Sequence, residues 1–226
     1  MVEEEHVRHL SIAGIGALKG GVFQEAKIEG VGDVDGDIVC TNFKLEGKVK
    51  VDGSVSAQKV KMDGVAFIGG NLRSDSIVVK GKLEVKGDLI GEDLRLDAKV
   101  IVDGRCETES LHATGKLRMG VLNTGSAHIE LNGNSQIEEI VGGKIHIQKQ
   151  PAVSLTDWLK TPEISPAGKL TTQIVEGDDI YLEFTTAAVV RGTNIVIGPG
   201  CKIGLVEYKT KFEQEKSAKV ERAERL

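Results

Sequence analysis

The chain has 226 residues, a formal net charge of −5, 28 glycines, four prolines and only 4% aromatic residues. Mild acidity argues against nucleic acid as the main partner, because phosphate binding needs a basic surface. Abundant glycine with few rings suits thin stacked coils better than a sandwich, and no run of about 18 apolar residues offers a bilayer span.

Residues 1–10 (MVEEEHVRHL) are acidic and polar, with no basic segment leading into an apolar core, so they predict a short tail rather than a secretory signal. From residue 11 a repeating pattern begins. Ser11–Ala26 forms a degenerate first unit, one residue short, with Ile12, Gly14, Leu18, Gly20 and Val22 in its recurring places.

The pattern is clearest over Lys27–Leu111. Gly30, Gly47, Gly64 and Gly81 are spaced seventeen residues apart, and so are Gly36, Gly53, Gly70, Gly87 and Gly104. The units read KIEGVGDVDGDI, KLEGKVKVDGSV, KMDGVAFIGGNL, VVKGKLEVKGDL and RLDAKVIVDGRC. Self-similarity at a short fixed period is the mark of a solenoid.

Apolar residues fall in columns: Ile28, Leu45, Met62, Val79, Leu96; Val34, Val51, Ile68, Val85, Val102; Ile38, Val55, Leu72, Leu89, Cys106; and Phe43, Val60, Ile77, Leu94, Leu111. With two columns of smaller residues they form three pairs per unit, each pair two residues apart, the period of a strand with one buried face. Three short strands per turn describe a triangular β-helix. Helical i, i+3, i+4 spacing is absent. Glycines between the pairs, as in Asp35-Gly36, Asp52-Gly53 and Asp103-Gly104, are expected at corners, where positive φ is needed. Outside, a mostly basic column (Lys27, Lys44, Lys61, Arg95) lies beside a mostly acidic one (Glu29, Glu46, Asp63, Asp97), a solvated pattern that discourages sideways sheet pairing. Cys40 and Cys106 fall in inward columns and read as small core residues.

From His112 the pattern weakens. One inserted residue is expected around Asn123–Ala127, with register resuming at Leu131, Gly133, Ile137 and Val141, so that about eight coils fill 11–149. Residues 150–172, with three prolines and the only tryptophan, predict a loop or short helix in which Trp158 and Leu159 could dock a partner. Residues 173–208 return to coil language through Ile180, Leu182, Val189 or Val190, Ile195, Ile197, Cys201 and Ile203. Residues 209–226 are charge-dense and predict a tail, as a frayed helix or without order.

No catalytic constellation emerges. There is no Walker loop, no G-x-S-x-G and no metal-spaced Cys/His set, so no catalytic residue, cofactor or metal is expected. A β-helical acyltransferase would show a six-residue period and an active histidine, whereas this period is seventeen and His112, His128 and His146 do not fall in one column. What remains is a solenoid with bare terminal coils. Solenoids usually close their ends with polar repeats. Unclosed ends invite head-to-tail addition, here through Ile12, Leu18 and Val22 at one end and Ile195, Ile197, Ile203 and Val206 at the other.

The repeats KIEGVGDVDGDI and KLEGKVKVDGSV, with GKLEVKGDL further on, resemble the bactofilins, bacterial polymer-forming cytoskeletal proteins; the likeness covers about Ile12–Val141. Glu176–Tyr208 is similar to the C-terminal extension of a longer subgroup. The resemblance implies a right-handed β-helix, nucleotide-independent filaments, and a cytoplasmic scaffold at the inner face of the membrane that serves cell shape, division or motility. Its expected partners are further copies of itself, a paralogous bactofilin and membrane-associated proteins. The short apolar anchor common in that family has no counterpart in residues 1–10, so direct membrane attachment is not expected. The alternative role is a non-polymerising adaptor or cap on another bactofilin filament.

Overall fold

A computed structural model describes residues 8–150 and 168–226. Among these residues the chain is all-β, a parallel β-solenoid built from β1 (His9–Val51), β2 (Val55–Ile68), β3 (Leu72–Val85), β4 (Leu89–Leu131), β5 (Ser135–Lys149), β6 (Leu170–Leu182), β7 (Thr185–Ile197), β8 (Lys202–Gln214) and β9 (Lys219–Arg225). Each strand pairs in parallel with the next, in chain order. The long β1 and β4 are hydrogen-bonded paths that turn through successive coils. The chain divides into two compact units after Glu109.

In the N-terminal unit the register is uniform. Ile38 pairs with Val55, Val55 with Leu72 and Leu72 with Leu89, the expected repeat. The inward columns are buried throughout, from Ile28 to Leu96, Val34 to Val102, Ile38 to Cys106 and Phe43 to Leu94. Because identical positions stack, each coil supplies about six inward side chains, and a fully buried Val, Leu or Ile contributes about 1.5–3 kcal/mol. Small residues hold the tightest column: Cys40, Ala57, Ser74 and Thr108 are all buried, and the hydroxyls of Ser74 and Thr108 donate to the carbonyls of Gln58 and Glu92.

The two glycine columns solve different problems. Gly30, Gly47, Gly64 and Gly81 have φ of +115°, +129°, +140° and +103°, as expected at corners. Gly53 and Gly104 do not. They lack positive φ, which corrects the sequence expectation, and are required instead by close approach: a Cβ on Gly53 would overlap the Asp37 carboxylate and the backbone of Gly36 and Asp37.

Beside that corner runs a ladder that periodicity alone does not disclose. The Ser54 N–H donates to Asp37 Oδ1 (2.6 Å), the Asn71 N–H to Ser54 Oγ (3.0 Å), the Asp88 N–H to Asn71 Oδ1 (2.8 Å) and the Arg105 N–H to Asp88 Oδ1 (2.8 Å). Short polar side chains each satisfy a backbone donor one coil on, where strand pairing is interrupted.

The C-terminal unit uses coils of unequal length. Met119 pairs with Ile137, Leu170 with Thr185, and Ala187 with Ile203, with a register shift between Gly192 and Asn194. The extra length expected at Asn123–Ala127 lies instead at Asn132–Asn134, where the chain leaves the strand between β4 and β5. A one-residue slip moves a side chain to the opposite face. Accordingly Ile140, not Val141, points inward, and Val190 rather than Val189. Residues 170–172, expected in the loop, already belong to β6; Trp158 and Leu159 lie outside the described residues.

The expected charged tail at 209–226 is a further correction, because β8 runs on to Gln214 and β9 pairs with it, Lys202 against Lys219 and Val206 against Ala223. Its charges alternate along the strands and pair on the outer face, Lys211 with Glu213 and Arg222 with Glu224. Backbone pairing to an existing coil supplies the order that the sparse apolar content of this segment does not.

Candidate functional site

The terminal coils are the candidates that the sequence offers, and the structure separates them. In the first coil Leu18 is 41% exposed, whereas Val34, one coil on in the same inward column, is 1% exposed. Ile15 is 90% and Val22 65% exposed. Ile12 is buried, against Gly16 and Gly32. Val22 was expected to point inward; Phe23 does so in its place, with the Arg8 guanidinium 5.4 Å from its ring centre. The short first unit shifts the register by one, which turns Val22 outward into the column of exposed Val39. Ile15, Leu18 and Val22 are the exposed apolar residues of this coil.

At the other end of the chain the expected set is misplaced. Ile195, Ile197, Ile203 and Val206 are all buried. Ile195 and Ile197 pair with Phe212 and Gln214 of β8, and Ile203 and Val206 with Val220 and Ala223 of β9. They are interior because residues 209–226 continue the coils. The segment Lys219–Leu226 exposes Lys219, Glu221, Arg222, Glu224 and Arg225 together with Ala223 and Leu226, the last 62% exposed. Charged side chains on an edge strand oppose further pairing. Thus the apolar first coil and the charged last coil are chemically unlike.

A second feature corrects the sequence reading. His112, His128 and His146 do share an outward column, in the C-terminal unit: the ring centres of His112 and His128 are 6.1 Å apart, those of His128 and His146 4.9 Å, and those of His146 and Tyr181 4.5 Å. The last two pairs are stacked within 15°. The uneven coil lengths hide this column from a fixed seventeen-residue count. A neighbouring column ties the rings down. His146 Nε2 lies 3.1 Å from Gln148 Oε1, Gln148 Nε2 donates to Glu130, and the Tyr181 hydroxyl donates to Glu183. That hydrogen bond to a carboxylate, aided by burial, pushes the Tyr181 phenol up to about 12. Among the described residues no three His, Cys, Asp or Glu side chains form a metal-holding group.

One shallow cleft in the C-terminal unit, about 230 Å³, is lined by Glu176, Asp178, Arg191, Thr193 and Lys209 among others. The Arg191 guanidinium is shared between Glu207 at 2.7 Å and Glu176 at 3.3 Å, a surface ion-pair ladder. Cys40, Cys106 and Cys201 are buried free thiols, and burial pushes them up to about 11, 12 and 11. Such thiols are poor nucleophiles. Among the described residues no helix is long and apolar enough to cross a membrane.

Among the described residues the fold is a parallel β-solenoid whose first coil exposes Ile15, Leu18 and Val22. The chain is 50% identical to the Bacillus subtilis protein YhbE over 239 aligned positions, covering 97% of this chain and 99% of that protein, and it belongs to the YhbE family. It is also 37% identical over 108 residues to YhbF of the same organism, a match that spans 47% of this chain and 42% of YhbF. No family model matches the chain. No solved structure matches it either.

Proposed function

We propose that this protein is a self-assembling structural scaffold of bactofilin type, associating end to end through a bare solenoid coil and working without nucleotide, cofactor or catalytic step. The observation that carries this reading is the first coil, where Leu18 is uncovered although every later member of its column in the N-terminal unit is buried. Unpaired strand edges beside apolar side chains are templates for adding another strand. The repeat pattern that resembles the bactofilins supports the same class. A cytoplasmic site at the inner face of the membrane and a role in organising envelope, motility or shape-determining machinery belong to this proposal. Negative-stain microscopy and light scattering over a concentration series test it. Concentration-dependent species of two or more copies are expected; a monomer at all concentrations up to about 100 μM, an affinity weaker than about −5.5 kcal/mol, overturns it.

The charged last coil favours a second reading, that the protein caps or adapts a filament of a related protein. Residues 219–226 would then face away from the joint, and a relative such as YhbF, which shares part of this sequence, is the kind of partner to test in mixtures.

A further inference from the structure

The histidine column of the C-terminal unit offers a site that the scaffold reading neither uses nor needs. We propose that His128 and His146 hold one divalent late transition-metal ion, Zn²⁺ or Ni²⁺, between their imidazole Nε2 atoms, with Glu130 supplying negative charge beside it. Strand pairing sets His128 opposite His146 and Glu130 opposite Gln148. Residues two apart on a strand share a face, so these four side chains form one outward patch, two coils high. The two rings are stacked, 4.9 Å between centres and within 15° of parallel. Both turn the same nitrogen toward the neighbouring column: His128 Nε2 lies 3.6 Å from Glu130 Oε1, and His146 Nε2 3.1 Å from Gln148 Oε1. Gln148 Nε2 in turn donates to that Glu130 oxygen at 3.3 Å. Solvent reaches the patch, because the side chains of His128 and Glu130 are 39% and 28% exposed.

Imidazole nitrogen suits Zn²⁺, Ni²⁺ and Cu²⁺. Among the described residues no third His, Cys, Asp or Glu completes a closed cage, so water fills the other positions around the ion. Reaching metal–nitrogen bonds of about 2.0–2.1 Å requires the two rings to tilt toward each other. Coil pairing already fixes both backbones one strand spacing apart, so only side-chain torsions change. An amide oxygen can only accept, so the Gln148 contact places a hydrogen on His146 Nε2. When the ion binds, that hydrogen passes to Nδ1 through water, and the freed Nε2 lone pair meets the metal. Gln148 still orients Glu130, as outer hydrogen bonds do around metal ligands. The ends of the column are poorer ligands. The His112 ring is 6.1 Å from that of His128 and tilted by 36°. The Tyr181 hydroxyl is committed to Glu183.

Titration calorimetry of the tag-free full chain with zinc chloride, and separately with nickel chloride, reads the outcome. One ion per chain is expected, with a dissociation constant at or below about 100 μM. His128→Ala and His146→Ala are each expected to weaken binding about tenfold or more, because each removes one arm of a chelate. His112→Ala, and His6→Ala with His9→Ala, are expected to leave it unchanged. Binding is expected to vanish in acid, since imidazole must shed its added proton to ligate. In the unaltered chain, where folding is not in question, Zn²⁺ is expected to shift the imidazole nitrogen resonances of His128 and His146 and not those of His6 or His9. No binding up to about 1 mM ion, unchanged affinity in the His128→Ala and His146→Ala chains, or resonance shifts confined to other histidines would overturn the inference and leave self-association untouched.

Discussion

The backbone N–H of Asp88 donates to the side-chain oxygen of Asn71, one coil earlier, at 2.8 Å, and the Asp88 carboxylate in turn accepts from the N–H of Arg105 at 2.8 Å. The corner column of the N-terminal unit is therefore a relay of short polar side chains. Asn71→Ala removes one rung and leaves the Asp88 N–H to water. We expect a loss of about 0.5–1.5 kcal/mol in urea unfolding with the slope unchanged. Asn71→Asp, which keeps the acceptor, is expected to lose less. An equal loss for both variants would show that the relay contributes nothing.

Gly47 stands at a corner with φ of +129°, where a Cβ would overlap the carbonyl oxygen of Gly30. Gly36 has φ of +97° but open space around it. Gly36→Ala is expected to cost about 1–3 kcal/mol from backbone strain alone. Gly47→Ala adds the collision, for about 2–5 kcal/mol in total. Thermal unfolding of the two variants separates strain from close approach, and equal losses would contradict that separation.

Burial holds Cys40, Cys106 and Cys201 as thiols up to about 11, 12 and 11. Their folded values lie above the ordinary value of 9. The unfolded chain therefore releases these protons first as the pH rises, so the stability these thiols contribute is full below pH 9 and declines from there toward 12. In the native protein at about pH 8, below the ordinary thiol value, a thiol reagent is expected to label none of the three, and all three after denaturation. Rapid labelling of native protein would contradict their burial.

Arg191 bridges Glu176 and Glu207 but is nearly half exposed. Arg191→Ala is expected to cost less than about 1 kcal/mol, and less again in high salt. A larger loss in chemical denaturation would mean that the ladder does more than decorate the cleft.

How far the sequence reaches depends on how strictly it repeats. Where every coil has seventeen residues, Ile28 through Leu96 and Phe43 through Leu94 announce their burial, because a constant period places like residues over like. Beyond His112 the coils lengthen and shorten, and each change of one residue exchanges inside for outside. That is why Val141 and Ile140 trade places, and why the His112–His128–His146–Tyr181 column is invisible to a fixed period. The last coils are illegible for a different reason. Ala218, Val220 and Ala223 offer little apolar signal, and the order of this segment comes from backbone pairing to β8, which composition does not reveal. At the first coil, Leu18 is legible as an uncovered inward residue, while the register shift puts Phe23 where Val22 is expected.

The central claim is that the first coil is where copies meet. Hydrogen exchange of the amides of Ala13–Lys19, followed in dilute and in concentrated protein, tests it most directly. These amides are expected to exchange quickly when dilute and to slow markedly as concentration rises. Exchange at Ala13–Lys19 that is independent of concentration in associating protein would contradict the account.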